Sequence, residues 1–205
     1  VGACKGCMLT RIAVADVVGH GHAVSDVSQY MYDSLKVHIC DPDSGIVLSE
    51  LNQLAARQGL KAMTTAAVLA YSGVNREAYL SRAGHPPVLR KRANEESWSV
   101  VAPDNNGGRL PNTDLPLAVA PEAVYRQQVI PATSGDRLFI YTDGVTEAPS
   151  AAGELFGDRR LHDVLDANAG ASVTELKSAV LQALHEHTGN GLTHDDVTLI
   201  AMEVR

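Results

Sequence analysis

Apolar and polar positions along this chain fall into blocks whose period changes. Residues 10–17 form a nearly continuous apolar run broken by Asp16, which predicts a buried strand. After the turn Gly19-His20-Gly21, Val24, Val27, Met31 and Leu35 recur at helical spacing, predicting an amphipathic helix of about four turns. Pro42 and Asp43-Ser44 restart the chain. Val47, Leu51, Leu54 and Ala55 then mark a second helix that closes near Gly59. From residue 64 the period shortens. Residues 64–72, 76–82, 88–92 and 97–101 read as successive strands, with turns at Gly73-Val74-Asn75 and Gly84-His85-Pro86-Pro87. The second of these turns reads as a structural hairpin. Residues 103–116 have a linker-like composition and predict an exposed loop. Strands at 125–130 and 137–142 follow, with Ser134-Gly135-Asp136 turning between them. Leu161, Val164 and Leu165 predict a short helix. Ser172 and Glu175 form a capping box that opens a helix carrying Val173, Leu176, Val180 and Leu184. That helix stops at Gly189-Asn190-Gly191, and residues 197–204 form a last strand. There is neither regular βα alternation nor an internal repeat, so the class is α+β, antiparallel sheets with helices packed outside.

The 205 residues suffice for a single domain spanning positions 1–205. Seventeen basic against 24 acidic residues give a net charge of −7, which argues against a nucleic-acid groove or an anionic membrane surface. The longest uninterrupted apolar run, residues 66–71, is far too short to span a bilayer. Cys4 and Cys7 form a CxxC pair that no second pair completes, so a loop is the better reading than a zinc site. Reduced cysteines fit a cytoplasmic protein. The chain opens without methionine, as expected of a piece of something longer.

Three acidic motifs carry the chemistry: Ala15-Asp16-Val17-Val18-Gly19-His20-Gly21, Tyr141-Thr142-Asp143-Gly144-Val145-Thr146-Glu147-Ala148 and His194-Asp195-Asp196-Val197-Thr198. Taken alone, Asp143-Gly144 is an ordinary turn dipeptide. The combination is what matters: each motif places an aspartate where a strand-like run meets a turn. Carboxylates gathered from separate strand ends make a hard oxygen cage suited to Mg²⁺ or Mn²⁺. Such ions lower the pKa of a bound water enough to make a nucleophile at neutral pH. His20, four residues after Asp16, is a candidate general acid or outer-shell group, with a turn histidine bonded to backbone as the alternative. No HExxH, G-x-S-x-G or Walker loop is present, which argues against zinc proteases, serine hydrolases and P-loop NTPases.

Read in order, these segments resemble the metal-dependent protein phosphatases, the type 2C group, in their bacterial sporulation and stress-response branch. Ala15–Gly21, Ala83-Gly84-His85-Pro86-Pro87, Leu115-Pro116-Leu117-Ala118, Gly135-Asp136-Arg137-Leu138 with the following acidic motif, Leu155-Phe156-Gly157 and Asp195–Thr198 all carry the resemblance. It implies two antiparallel β-sheets packed as a sandwich, flanked by α-helices on both outer faces, and two Mn²⁺ or Mg²⁺ ions at one end. Asp16 would bridge the metals, with the Val17 carbonyl on one of them and Asp143 and Asp195 on the other. Gly144 and Asp196 would stand just behind these ligands. The implied reaction is attack by metal-bound hydroxide on phosphoserine or phosphothreonine, without a phosphoenzyme. The implied partner is a phosphorylated protein, such as an anti-sigma-factor antagonist, with a sensory domain upstream. Two alternatives stay open: a non-catalytic binding module of the same fold, and a small-molecule metallophosphatase.

The sequence departs from the family pattern in three places. The acidic motif on the strand before residue 10 is absent: either it lies upstream, the domain then lacking its N-terminal strand and leaving an unpaired edge along residues 10–17, or the second metal is weakened. Arg82 replaces an asparagine, and Ala118 replaces the usual glycine.

Overall fold

The structure, a computed structural model, describes residues 2–4, 9–19, 22–38, 41, 43–102, 114–189, 191 and 195–205. In chain order the elements begin β1 (Gly2–Cys4), β2 (Leu9–Val17), α1 (His22–Val37), α2 (Ser44–Gln58), β3 (Thr64–Ser72) and β4 (Glu77–Ala83). They continue with β5 (Leu89–Lys91), β6 (Ser99–Val100), β7 (Gln128–Pro131), β8 (Arg137–Tyr141), α3 (Asp143–Thr146), α4 (Gly157–Ala167), α5 (Val173–Thr188) and β9 (Leu199–Glu203). All strand pairs are antiparallel, in a five-stranded sheet ordered β1-β2-β3-β4-β7 and a four-stranded sheet ordered β6-β5-β8-β9. Two antiparallel sheets, each with its own helices, make the α+β class that the sequence pattern predicts.

The chain divides into two compact units, one of Val1–His85 with Pro103–Ala132, the other of Pro86–Ala102 with Thr133–Arg205. The first holds the five-stranded sheet. Val27 and Met31 of α1 and Val47, Leu48 and Leu51 of α2 pack with Ala66, Val68 and Ala83 of the sheet. Ala13 and Val17 join the same cluster, so alternation puts Ile12, Val14 and Asp16 on the sheet face opposite the helices. Buried Arg11 donates to the carbonyls of His38 and Asp41, tying β2 to the turn between the two helices. The carboxylate of Asp43 caps α2 by accepting from the Gly45 and Ile46 N–H groups.

In the second unit Leu89, Phe139 and Tyr141 pack with Trp98, with Leu161 and Leu165 of α4, and with Leu176, Val180 and Leu184 of α5. The Ser172–Glu175 capping box is present at the start of α5. Arg137 pairs with Glu203 at 2.9 Å and donates to the Ala169 and Ala171 carbonyls, fixing the α4–α5 turn to the sheet. Buried Asp136 accepts from the Ala93 and Thr133 N–H groups, so the Gly-Asp-Arg-Leu segment serves the framework.

Several expectations change. Residues 84–87 do not close a hairpin: β4 pairs with β3 and β7, whereas β5 pairs with β6 and β8. Two prolines in succession have no N–H to continue a ladder. Gly84 instead donates to the Asp114 carbonyl and bridges to Ala66. Its φ of +63° and the 2.5 Å that would separate a Cβ there from Pro116 both require glycine. Cys4 ends a strand rather than lying in a loop, and that strand pairs with Leu9–Arg11, so the edge of β2 is not bare there. Cys7, Cys40, His20 and most of the loop at 103–116 lie outside the described residues.

Fully buried Asn52 organises the segment after that loop. Its Oδ1 accepts from the Ala118 N–H, and its Nδ2 donates to the carbonyls of Ala120 and Pro121. Ala118 thereby keeps a φ of +68°, a region that costs an L-residue about 1–2 kcal/mol. Truncating Asn52→Ala leaves these backbone groups buried without partners and is expected to cost about 2–4 kcal/mol. A lower urea midpoint at unchanged slope is the expected readout.

Tyr125 donates to the Leu115 carbonyl, and burial, then the nearby Asp114 charge, pushes its phenol up to about 12. The unfolded chain releases this proton near the ordinary value of 10, so this group's contribution to stability is full below that pH and is lost as pH rises toward 12. Urea midpoints of the wild type should drop across this window, and the drop should be smaller in Tyr125→Phe.

Candidate functional site

Asp16 stands near the end of β2, and its directly opposed partner on β3 is Thr65. Ile12, Val14 and Asp16 form a row facing Leu69, Ala67 and Thr65, so an apolar ladder ends in a carboxylate and a hydroxyl. Beyond it Val17 pairs with Thr64, and the Val18 N–H donates to the Met63 carbonyl at 2.9 Å. The chain then turns at Gly19. Asp16 is half-buried, as is Thr65, whose Oγ1 shares a 3.1 Å hydrogen bond with Nδ1 of buried His85.

The other two acidic motifs belong to the second unit, where the pairing of β8 with β9 brings them together. Thr142, which follows β8 and is buried, makes the junction. Its hydroxyl donates to the Asp196 carbonyl at 3.2 Å and accepts from the Thr198 N–H at 3.0 Å. Its own N–H donates to the Thr198 carbonyl. Asp143 then opens the single turn of α3. Gly144 is buried, and a Cβ there would lie 2.4 Å from the Asp196 carbonyl oxygen and 3.6 Å from the Asp195 Cβ. Only a residue without a side chain lets the Asp195-Asp196 segment pass this close to the start of α3.

The carboxylates themselves are bonded locally. Oδ1 of Asp143 accepts from the Gly144 N–H at 3.0 Å, and Oδ1 of Asp195 accepts from the Asp196 N–H at 2.8 Å. Asp143 is half-buried, while Asp195 and Asp196 are exposed. Among the described residues no lysine or arginine forms an ion pair with any of the three. Nor does any group of three His, Cys, Asp or Glu side chains among the described residues stand ready to hold a metal ion.

The structure therefore joins Asp143, Gly144, Asp195 and Asp196 in one place and sets Asp16 and Val17 at a strand end of the other unit. His20 lies outside the described residues. Sequence reasoning missed Thr142 and Thr198, which clamp the acidic pair, and Thr65, which faces Asp16. The available signal was Thr142 directly before Asp143; Thr198 takes part through its main chain, which its residue type does not announce. His85 was legible only as a turn residue, because its hydroxyl partner lies twenty positions away in the chain.

Comparison with solved structures defines the class. The chain superposes on the RsbU and RsbW domains of Rv1364c from Mycobacterium tuberculosis with a TM-score of 0.77 and 26% identity, covering 96% of this chain and 52% of that one. It superposes on the SiaA-PP2C domain of Pseudomonas aeruginosa with a TM-score of 0.78 and 20% identity, covering 95% and 75%. The fold is that of the PP2C-type protein phosphatases. More particularly, residues 8–205 match the family of stage II sporulation protein E (SpoIIE), and the chain belongs to that family. Phosphoserine phosphatase RsbP of Bacillus subtilis is 24% identical over 202 residues, 95% of this chain and 45% of RsbP. Protein IcfG of Synechocystis sp. is 32% identical over 120 residues, 58% of this chain and 17% of IcfG. The chain thus spans less than half the length of these curated relatives. No helix among the described residues is long and apolar enough to cross a membrane.

The close pass at Gly144 gives a direct test. Gly144→Ala drives a methyl into the Asp196 backbone, which cannot swing aside as a side-chain tip would, and is expected to cost about 1–3 kcal/mol. The urea midpoint should fall accordingly at unchanged slope. Gly170→Ala, which meets nothing within 4 Å, serves as the control and should leave the midpoint nearly unchanged.

Proposed function

We propose that residues 1–205 act as one metal-dependent serine/threonine protein phosphatase domain. The cations would be Mn²⁺ or Mg²⁺, held by Asp16, Asp143 and Asp195 with the Val17 carbonyl. The observation that carries this reading is the acidic junction after β8, where the start of α3 at Asp143 and the Asp195-Asp196 segment are brought side by side, with no lysine or arginine paired to them among the described residues. Hard oxygen donors on rigid strand ends suit divalent magnesium or manganese rather than zinc or copper. RsbX, which shares the fold at a TM-score of 0.64 and 18% identity, was solved in complex with magnesium. The chain crosses between its two units after His85, Ala102 and Ala132, and this interleaving supports treating both as one functional domain.

When bound, such cations would supply a water that is nucleophilic at neutral pH and would offset charge on the phosphoryl oxygens. The chain's own residues do the rest. The Thr142 clamp and the bare Cα of Gly144 hold the carboxylates of Asp143 and Asp195 at the tip of the four-stranded sheet. Asp196, one position further, keeps its carboxylate exposed and available to orient water. In this proposal His20 protonates the leaving serine oxygen.

The substrate proposed is a phosphoserine or phosphothreonine in a protein, in keeping with the phosphoserine phosphatase RsbP among the relatives. The finer proposal is a phosphorylated antagonist of an anti-sigma factor, with a sensory domain joined to the phosphatase in a cytoplasmic signalling protein.

Hydrolysis of p-nitrophenyl phosphate should require Mn²⁺ or Mg²⁺ and vanish in excess EDTA. Asp143→Asn should lower kcat/KM by about 10³-fold or more, because an amide supplies none of the charge that holds the cation and acidifies its water. Full turnover in EDTA would overturn the metal-dependent reading. A chain that binds Mn²⁺ and phosphopeptide without releasing phosphate would favour the binding-module alternative.

A further inference from the structure

The strand end that carries Asp16 is supported by residues the proposed function leaves unused. Thr65 is the directly opposed partner of Asp16, and cross-strand partners share a sheet face with Cβ atoms about 4.5–5.5 Å apart. A hydroxyl at that position is within reach of the neighbouring carboxylate. Behind Thr65 stands the imidazole of His85, 3 % exposed, with Nδ1 3.1 Å from Oγ1. The ring is not placed there by chance packing. Arg82 donates to the His85 carbonyl at 2.9 Å while its guanidinium also meets Asp114 at 3.2 Å. The preceding Gly84 bridges to Ala66, the residue after Thr65, and is locked against Pro116. Three separate contacts thus hold one histidine against one threonine.

From this arrangement we infer that Thr65 and His85 are positioning residues for Asp16. The His85 ring carries its proton on Nδ1 and donates it to Thr65 Oγ1. With that lone pair occupied, the hydroxyl hydrogen turns to the Asp16 carboxylate and fixes its rotamer. A hydroxyl has one donor and two acceptor sites, so Thr65 Oγ1 can accept from the ring while it donates to the carboxylate. The inference rests on the reading of Asp16 as a metal ligand. It adds the group that orients the ligand, a kind of support whose loss typically costs 10–100-fold in metal affinity or activity.

The test uses Thr65→Val, which keeps shape and removes the hydroxyl, and Thr65→Ser, which keeps the hydroxyl. His85→Asn places an amide N–H near the position of Nδ1, and His85→Leu removes it. Mn²⁺ affinity is measured by calorimetry on each, beside thermal unfolding in EDTA and kcat and KM on p-nitrophenyl phosphate. Thr65→Val should bind Mn²⁺ about 10–100-fold more weakly and lose kcat with little change in KM, while its unfolding temperature in EDTA stays near wild type. Thr65→Ser should retain affinity, and His85→Asn should retain more of it than His85→Leu. Wild-type affinity and kcat in Thr65→Val would overturn the positioning role alone, as would equal losses in Thr65→Ser and Thr65→Val. A wild-type chain that binds no Mn²⁺ would overturn the metal reading, and this inference with it.

Discussion

The second unit sets Asp143 beside the Asp195-Asp196 segment, a concentration of acidic residues that no lysine or arginine among the described residues is paired with. The arrangement comes from the backbone. Register between β8 and β9 sets the two segments side by side, and Thr142 closes the gap beyond the last ladder pair. The absent side chain of Gly144 lets them touch. Asp195 and Asp196 are exposed, so water screens their charge. Much of the framework around them serves this one concentration of negative charge: Arg137 braces β8 to β9, and the apolar cluster of Phe139, Tyr141 and the two long helices stiffens the sheet beneath.

Four of the buried polar groups follow one rule. Arg11, Asn52, Asp136 and Thr142 each satisfy main-chain groups of an irregular segment that has no ladder of its own. Regular elements satisfy themselves, whereas loops folded back onto a core need side chains to do it. Such residues act as joints between strands and loops.

Much of this was legible in the sequence. The 3.6-residue periods over α1, α2 and α5 gave helices close to those observed, since each has a continuous apolar stripe and, for α5, a capping box. Residues 64–72 were read with their full extent because a long, two-sided apolar run admits little else. What could not be read was partnership. Strands adjacent in the chain were expected to be neighbours in a sheet, yet β4 and β5, like β7 and β8, fall in different sheets, and no local signal distinguishes a hairpin from a crossover. Asp16, Asp143 and Asp195 stood out because an acidic residue ending an apolar run is conspicuous. Thr65, Thr142 and Asn52 did not, since a threonine in a strand or an asparagine in a helix looks ordinary until its distant partner is known.

The interleaving of the two units also bears on how relatives of this domain can exchange sequence. Residues 86–102 belong with residues 133–205, although the first unit's 103–132 lies between them. A single recombination breakpoint inside the 86–132 stretch gives at least one unit a core drawn from two parents, with side-chain volumes never selected together. An exchange that respects the cores must move 86–102 and 133–205 together, or replace only 103–132 along with 1–85. Viable chimaeras should therefore cluster in paired crossovers near residues 85, 102 and 132, and diversity within the family should have accumulated by substitution more readily than by shuffling of halves.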